Sequence, residues 1–239
     1  MKRIALCLSG QPRNVEKGFE YIKRNLIDCN DVDIFTHTWD TPADIGKDFI
    51  NPTNNIKCGE AVDENLSDLI LDLYSPTVAK FEEQIVFDEK DYGERIYPGI
   101  TPSRLLSMWY SIQAANQLQQ QYSNDHGIQY DITIRTRFDW AINEPLVMEE
   151  LIADTMICPR DCFSPDGFND QFAAGPTPLV DSYSDLYDHI EEYYRFDKKP
   201  FCNEILLKHH LTKHHLKMQP IPIGYGLVRG ADKIQWGKR

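Results

Sequence analysis

The sequence predicts an α/β domain with a mostly parallel central sheet flanked by helices. Three observations point there. Residues 3–8, Arg3-Ile4-Ala5-Leu6-Cys7-Leu8, form a short apolar run of the kind found in a strand covered on both faces. The run breaks into Ser9-Gly10-Gln11-Pro12-Arg13-Asn14, after which Phe19, Ile22 and Leu26 share one face of a helix over residues 15–26. Residues 31–40 and 130–134 repeat the strand signature, the second through Tyr130, Ile132 and Ile134.

The remaining elements follow from spacing. The strand at 31–40 ends in His37, Thr38 and Trp39, and His37 reads as a hydrogen-bonded structural residue. Residues 41–60, rich in Asp, Asn, Pro and Gly, read as a long loop or insertion. Leu66, Leu69, Ile70 and Leu73 line a helix over 63–74; residues 78–87 suit a strand, and 88–101, with Tyr92, Tyr97 and Pro98, a loop. The strongest helix covers 102–122: Pro102 suits its first position, and Leu105, Met108, Trp109, Ile112, Ala115 and Leu118 line one side. Arg104 and Tyr110 lie on it, as packing or surface residues or as ligand contacts. Met156-Ile157-Cys158 suggests a further strand, and Asn169-Asp170 enters an apolar strand ending at Gly175. One amphipathic helix is expected over 179–196, with Tyr183, Leu186, Tyr187, Ile190 and Tyr194 inward. A helix capped by Asn203 then reaches His209, His210, His214 and His215. His210 and His214 have the i, i+4 spacing of a metal-binding face, but no glutamate lies between them, and a solvated His/Lys face is the expected reading. Residues 221–228 read as a Pro/Gly-punctuated strand ending at Arg229.

Composition limits the function. At 239 residues the chain suits a single domain, and 41% hydrophobic residues are enough for a sizeable core. A net charge of −12 argues against unspecific nucleic-acid binding, while leaving room for a local arginine cluster that binds phosphates. No run of about eighteen apolar residues occurs, so no membrane span is expected. The chain opens on a core strand without a signal-peptide hydrophobic region, and its six cysteines are scattered, so reduced thiols and a cytoplasmic location are expected. Cys158 and Cys162 form a C-x-x-x-C pair with no second pair to complete a zinc site.

The most informative stretch is Arg135-Thr136-Arg137-Phe138-Asp139 at the end of a strand. Two guanidiniums suit a diphosphate, because each pairs with phosphate oxygens in a planar, bidentate way. A carboxylate beside them suits a divalent metal also held by substrate phosphates. The alternative is an ion-paired strand end in which Asp139 neutralises Arg137. The 9–14 loop has neither the Walker pattern nor G-x-G-x-x-G, which sets ATPase and dinucleotide-dehydrogenase readings aside.

Leu8-Ser9-Gly10-Gln11-Pro12-Arg13, Asp33-Ile34-Phe35-Thr36-His37-Thr38-Trp39 and the Tyr130 to Asp139 stretch occur in that order. Together they resemble a group of small GT-A-like glycosyltransferases from bacterial surface-polysaccharide loci and from large viruses and phages. The resemblance spans residues 3 to about 230 and implies a single GT-A-like domain that moves a sugar from a nucleoside-diphosphate sugar to a hydroxyl acceptor, such as another sugar in a glycan. It implies that Asp139 is the second aspartate of an Asp-x-Asp motif and anchors Mn²⁺ or Mg²⁺. Arg137 stands where the first aspartate would be, so a guanidinium beside the metal position can replace part of the metal's charge. Ser9, Gly10, Gln11 and Arg13 would hold the nucleotide, Arg135 and Arg137 the diphosphate, and Arg229 would add a third phosphate contact. Asp170 is the first candidate for general base and Glu204 the second; their alternatives are a turn cap and a helix-dipole partner. Two other classes stay open: a sugar nucleotidyltransferase, although Ser9–Asn14 supplies no lysine, and a non-catalytic nucleotide-sugar-binding protein.

Overall fold

Strand β1 (Ile4–Gly10) lies at the heart of the molecule, and its alternation sets the layers. Ile4, Leu6 and Leu8 point to one face of the sheet, Ala5 and Cys7 to the other, and all five are buried. Burying each large aliphatic side chain contributes roughly 1.5–3 kcal/mol, so β1 is a main source of cohesion. The structure is a computed structural model and describes residues 2–237 except 52–55, 60, 62, 63, 90, 91, 93–95, 97–99, 151–153, 163, 165, 231 and 232. Asp63, where the helix over 63–74 is expected to begin, and Tyr97 and Pro98 of the expected 88–101 loop lie outside the described residues.

The chain continues through α1 (Val15–Ile22), β2 (Val32–Trp39), a hairpin of β3 (Phe49–Asn51) and β4 (Ile56–Gly59), α2 (Leu66–Tyr74), β5 (Val78–Glu82) and α3 (Pro102–His126). Then come β6 (Ile132–Thr136), β7 (Trp140–Ile142), β8 (Met156–Pro159), β9 (Ala173–Pro176), α4 (Thr177–Ser184), α5 (Leu186–Arg195), α6 (Asn203–Lys213), β10 (Met218–Ile221), β11 (Tyr225–Val228) and β12 (Ile234–Trp236). The fold is therefore α/β. A seven-stranded sheet runs in the order β10-β8-β9-β6-β1-β2-β5, with only β9 antiparallel to its neighbours. A small antiparallel sheet, β12-β11-β7, sits beside it.

Helices cover both faces. Val15, Ile22 and Leu26 from α1 and its continuation, with Leu66, Ile70 and Tyr74 of α2, pack on the Ile4/Leu6/Leu8 side. Helix α3 covers the other face through Ala115, and its Trp109 joins Tyr183, Ile190 and Leu206 in a second core shared with α4–α6. No helix among the described residues is long and apolar enough to cross a membrane.

Several boundaries differ from the sequence expectation. The helix expected over 179–196 is two helices that break at Asp185. Ser182 Oγ and Ser184 Oγ donate to the carbonyls of Pro178 and Val180 (3.1 and 2.8 Å), back-bonding that bends and weakens a helix. Cys202, not Asn203, is the N-cap of α6, and no side chain caps it. The stretch expected to form one strand over 221–228 divides between β10 and β11, which belong to different sheets, because Pro222 and Gly224 interrupt it. Part of the 41–60 loop pairs as the β3/β4 hairpin.

Candidate functional site

The carboxyl ends of the parallel strands β1, β2 and β6 converge on one edge of the sheet. There β1 leaves through Gly10, whose φ of +104° is a backbone shape that side chains disfavour. The Gly10 N–H donates to Ser111 Oγ (2.7 Å) and its carbonyl accepts from Thr38 Oγ1 (2.7 Å). Both backbone groups are engaged, so Gly10 shapes the loop and has no free N–H for a phosphate, contrary to the sequence expectation. Ser9 is buried with its Oγ unpartnered among the described residues. Gln11 is exposed and lines a recess with Pro12, Trp39, Thr41, Phe49 and Gln84. A second recess, near Lys2, Ile4, Asn30 and Val147, lies at the opposite strand ends and has no convergent cations.

The turn between β6 and β7 carries Arg137 and Asp139. Helix α1 approaches it so closely that a Cβ on Gly18 would lie 1.7 Å from the Phe138 carbonyl oxygen. Pairing of β7 with β11 brings in Arg229 from the far end of the chain, and the Val228 N–H donates to the Asp139 carbonyl (2.8 Å). Asn14, with φ of 49°, ties the start of α1 to the Val228 carbonyl (2.9 Å) and so places Arg13.

Three arginines meet on one carboxylate. Arg137 Nε and its NH2 group grip the two Asp139 oxygens (2.7 and 2.8 Å), Arg229 adds 2.9 Å, and Arg13 lies at 3.4 Å. Burial pushes the Asp139 carboxyl up, but Arg137, Arg13 and Arg229 outweigh it and hold it at about 2. The Asp139 side chain is 1% exposed, whereas those of Arg13, Arg137 and Arg229 are 13%, 18% and 17% exposed, so the guanidiniums have the solvent edge. Arg104, in the first turn of α3, joins them electrostatically: burial and then Arg13 lower its pKa, and it has no carboxylate partner among the described residues. Three arginines thus hold a single buried carboxylate, and the exposed Arg104 lies within electrostatic reach of two of them, Arg13 and Arg137.

This donor set does not fit a divalent metal at Asp139. Both carboxylate oxygens are already held by guanidiniums, no second carboxylate contacts them among the described residues, and a metal would add two positive charges among the arginines. Asp139 is the counter-ion of the cluster in this structure, an arrangement that does not match the metal anchor expected from the sequence.

Arg135 also departs from expectation. It is 1% exposed, faces the α3/α4 side of β6, lies beside Tyr183, and donates to the Asp170 carbonyl. It therefore positions the 169–171 loop and has no contact with Asp139. In that loop the turn cap is Asn169, whose Oδ1 accepts from the Gln171 N–H (2.8 Å), leaving Asp170 free of that role. The loop docks on the first turn of α6: the Phe168 N–H donates to the Glu204 carbonyl (3.2 Å), and Gly167 packs against Glu204 with no room for a Cβ.

Asp170 and Glu204, far apart in sequence, are thereby brought together. Burial raises the Asp170 carboxyl, opposed by Arg135 and Arg137. Burial and then Asp170 push Glu204 up to about 7. The Asp170 charge thus adds to burial in favouring the protonated form of Glu204. His37 is structural, as expected: it is fully buried, with Nδ1 on Ser111 Oγ (2.8 Å) and Nε2 on Glu82 (2.7 Å), and Tyr110 donates to the same Glu82 and stacks on Trp39.

Comparison with protein-family models gives no match, and comparison with the curated proteins gives none either.

Proposed function

We propose that the protein is a GT-A-like glycosyltransferase that moves a sugar from a nucleoside-diphosphate sugar to a hydroxyl acceptor, such as another sugar in a glycan. The observation that carries this reading is the group of Arg13, Arg137 and Arg229 on one buried carboxylate, with Arg104 close to Arg13 and Arg137, in a protein of net charge −12. Cations held at parallel-strand ends suit a diphosphate, and guanidiniums bind phosphate oxygens in pairs.

In the reaction, the bond from the sugar's anomeric carbon to the diphosphate oxygen breaks, and its electron pair leaves with the nucleoside diphosphate. Arg13, Arg104, Arg137 and Arg229 stabilise that developing charge, taking the role expected of Mn²⁺ or Mg²⁺. The acceptor oxygen bonds to the anomeric carbon, and its proton passes to the Asp170/Glu204 pair. A group titrating near neutrality is well matched to such a base, and its presence favours displacement with inversion.

The test is incubation with UDP-, GDP- and dTDP-sugars and simple sugar acceptors in EDTA, with products separated by chromatography. Release of a nucleoside diphosphate with a new glycoside supports the reading. Release of pyrophosphate in a reaction with a sugar phosphate would make the protein a nucleotidyltransferase instead. Binding without any turnover would leave a nucleotide-sugar-binding protein.

A further inference from the structure

Away from the arginine cluster, His189 of α5 and His210 and His214 on or just past α6 bring one ring nitrogen each within 4.8 Å of one another. From these residues we infer a second site: a three-imidazole centre for a borderline transition-metal ion, with Zn²⁺ the reference ligand.

The tautomer of His210 is the first support. Its Nε2 lies 2.7 Å from the Ser182 carbonyl, which only accepts, so Nε2 carries the hydrogen. Nδ1 of the neutral ring therefore carries the lone pair, which accepts from the Tyr193 hydroxyl (2.8 Å). A ligating histidine whose second nitrogen donates to a backbone carbonyl is the usual outer-sphere arrangement of metal centres. His210 is 1% exposed, so its ring is fixed by packing.

The second support is the arrangement of the other groups. The Tyr193 hydroxyl lies 2.8 Å from His210 Nδ1 and 3.2 Å from His214 Nε2, between the two nitrogens. It could complete the coordination or yield its place to the ion. The ring centroids of His189 and His214 are 5.0 Å apart, and those of His210 and His214 are 4.5 Å apart. Tetrahedral Zn–N bonds need the nitrogens roughly 3.3 Å apart. His189 is half-buried and His214 exposed, so both can turn the remaining distance while His210 stays fixed. Glu192 beside His189, 3.6 Å away, and Asp185 near His214 add negative charge, and Lys213 is neutralised by Glu192 and Asp197. Three nitrogens and a borderline ion are chemically matched, whereas Mg²⁺ and Ca²⁺ prefer oxygen ligands.

The test uses the intact chain, stripped with EDTA and moved to chelator-free buffer. Calorimetric titration with Zn²⁺ is expected to give one ion per chain and a raised melting temperature. Co²⁺ is expected to give visible bands of a four- or five-coordinate centre. His189→Ala and His214→Ala, both at accessible positions, are each expected to weaken Zn²⁺ binding at least tenfold, the scale seen even for lost outer-sphere partners. Absence of stoichiometric binding overturns the inference. So does unchanged affinity in the His189→Ala/His214→Ala double variant, which would assign the ion to the cysteine thiols.

Discussion

At the scale of single residues, the behaviour of Asp139 follows from one carboxylate facing three guanidiniums. Its carboxyl titrates at about 2 against an ordinary 3.8, so its stabilisation is present above the ordinary value and is lost as pH falls through about 2. Asp139→Asn leaves the arginines without their counter-ion and is expected to cost roughly 3 kcal/mol in denaturant unfolding. Added inorganic phosphate or a nucleoside diphosphate should restore part of that loss; an unchanged midpoint would contradict the counter-ion role. For Glu204 the sign is opposite. Its folded pKa of about 7 exceeds the ordinary 4.5, so the wild type loses stability as pH rises from about 4.5 through 7. Glu204→Gln should therefore gain on the wild type across that window, and parallel stability curves would count against the buried pair. If Glu204 takes the acceptor proton, the same variant should cut turnover roughly a hundredfold to ten-thousandfold with donor affinity kept. Should Asp170→Asn carry that defect instead, the base is Asp170. Arg137, Asp139 and Asp170 were legible in the sequence because they sit in a local run or at a strand entrance. The approach of Arg13 and Arg229 to Asp139 was not legible, because they reach it only through the fold.

At the scale of elements, the cluster depends on how tightly α1 packs on the β6–β7 turn. Gly18→Ala would drive a methyl into the Phe138 carbonyl, an overpacking expected to cost about 1–3 kcal/mol. Because the displaced turn carries Arg137 and Asp139, donor affinity should fall in the same variant. A stable Gly18→Ala protein with normal donor binding would separate the turn from the site. Strands β1, β2 and β6 and helix α3 were legible because their apolar spacing records burial directly. The α4/α5 break was not, since the inward tyrosines keep their helical spacing across Asp185 and the serine back-bonds leave no periodic signature. His189 was missed as a companion of His210 and His214 for a related reason: it lies on a different helix, and only the α5/α6 packing joins them.

At the scale of the whole molecule, an acidic protein concentrates four arginines at one edge of its sheet, and in the proposed function they replace a metal in holding a nucleoside-diphosphate sugar. A sheet order is not written in local spacing, so the sequence pointed to parallel strands without showing that β9 is reversed or that β11 would carry Arg229 to β7. The most direct measurement is the shift in melting temperature with UDP-, GDP- and dTDP-sugars, read in EDTA and in Mn²⁺, for the wild type and Arg137→Lys. The account expects one nucleotide class to stabilise the wild type equally with and without Mn²⁺, and less in the lysine variant, which keeps the charge but loses the planar fork. Stabilisation that appears only with Mn²⁺, or none with any nucleotide sugar, would contradict it.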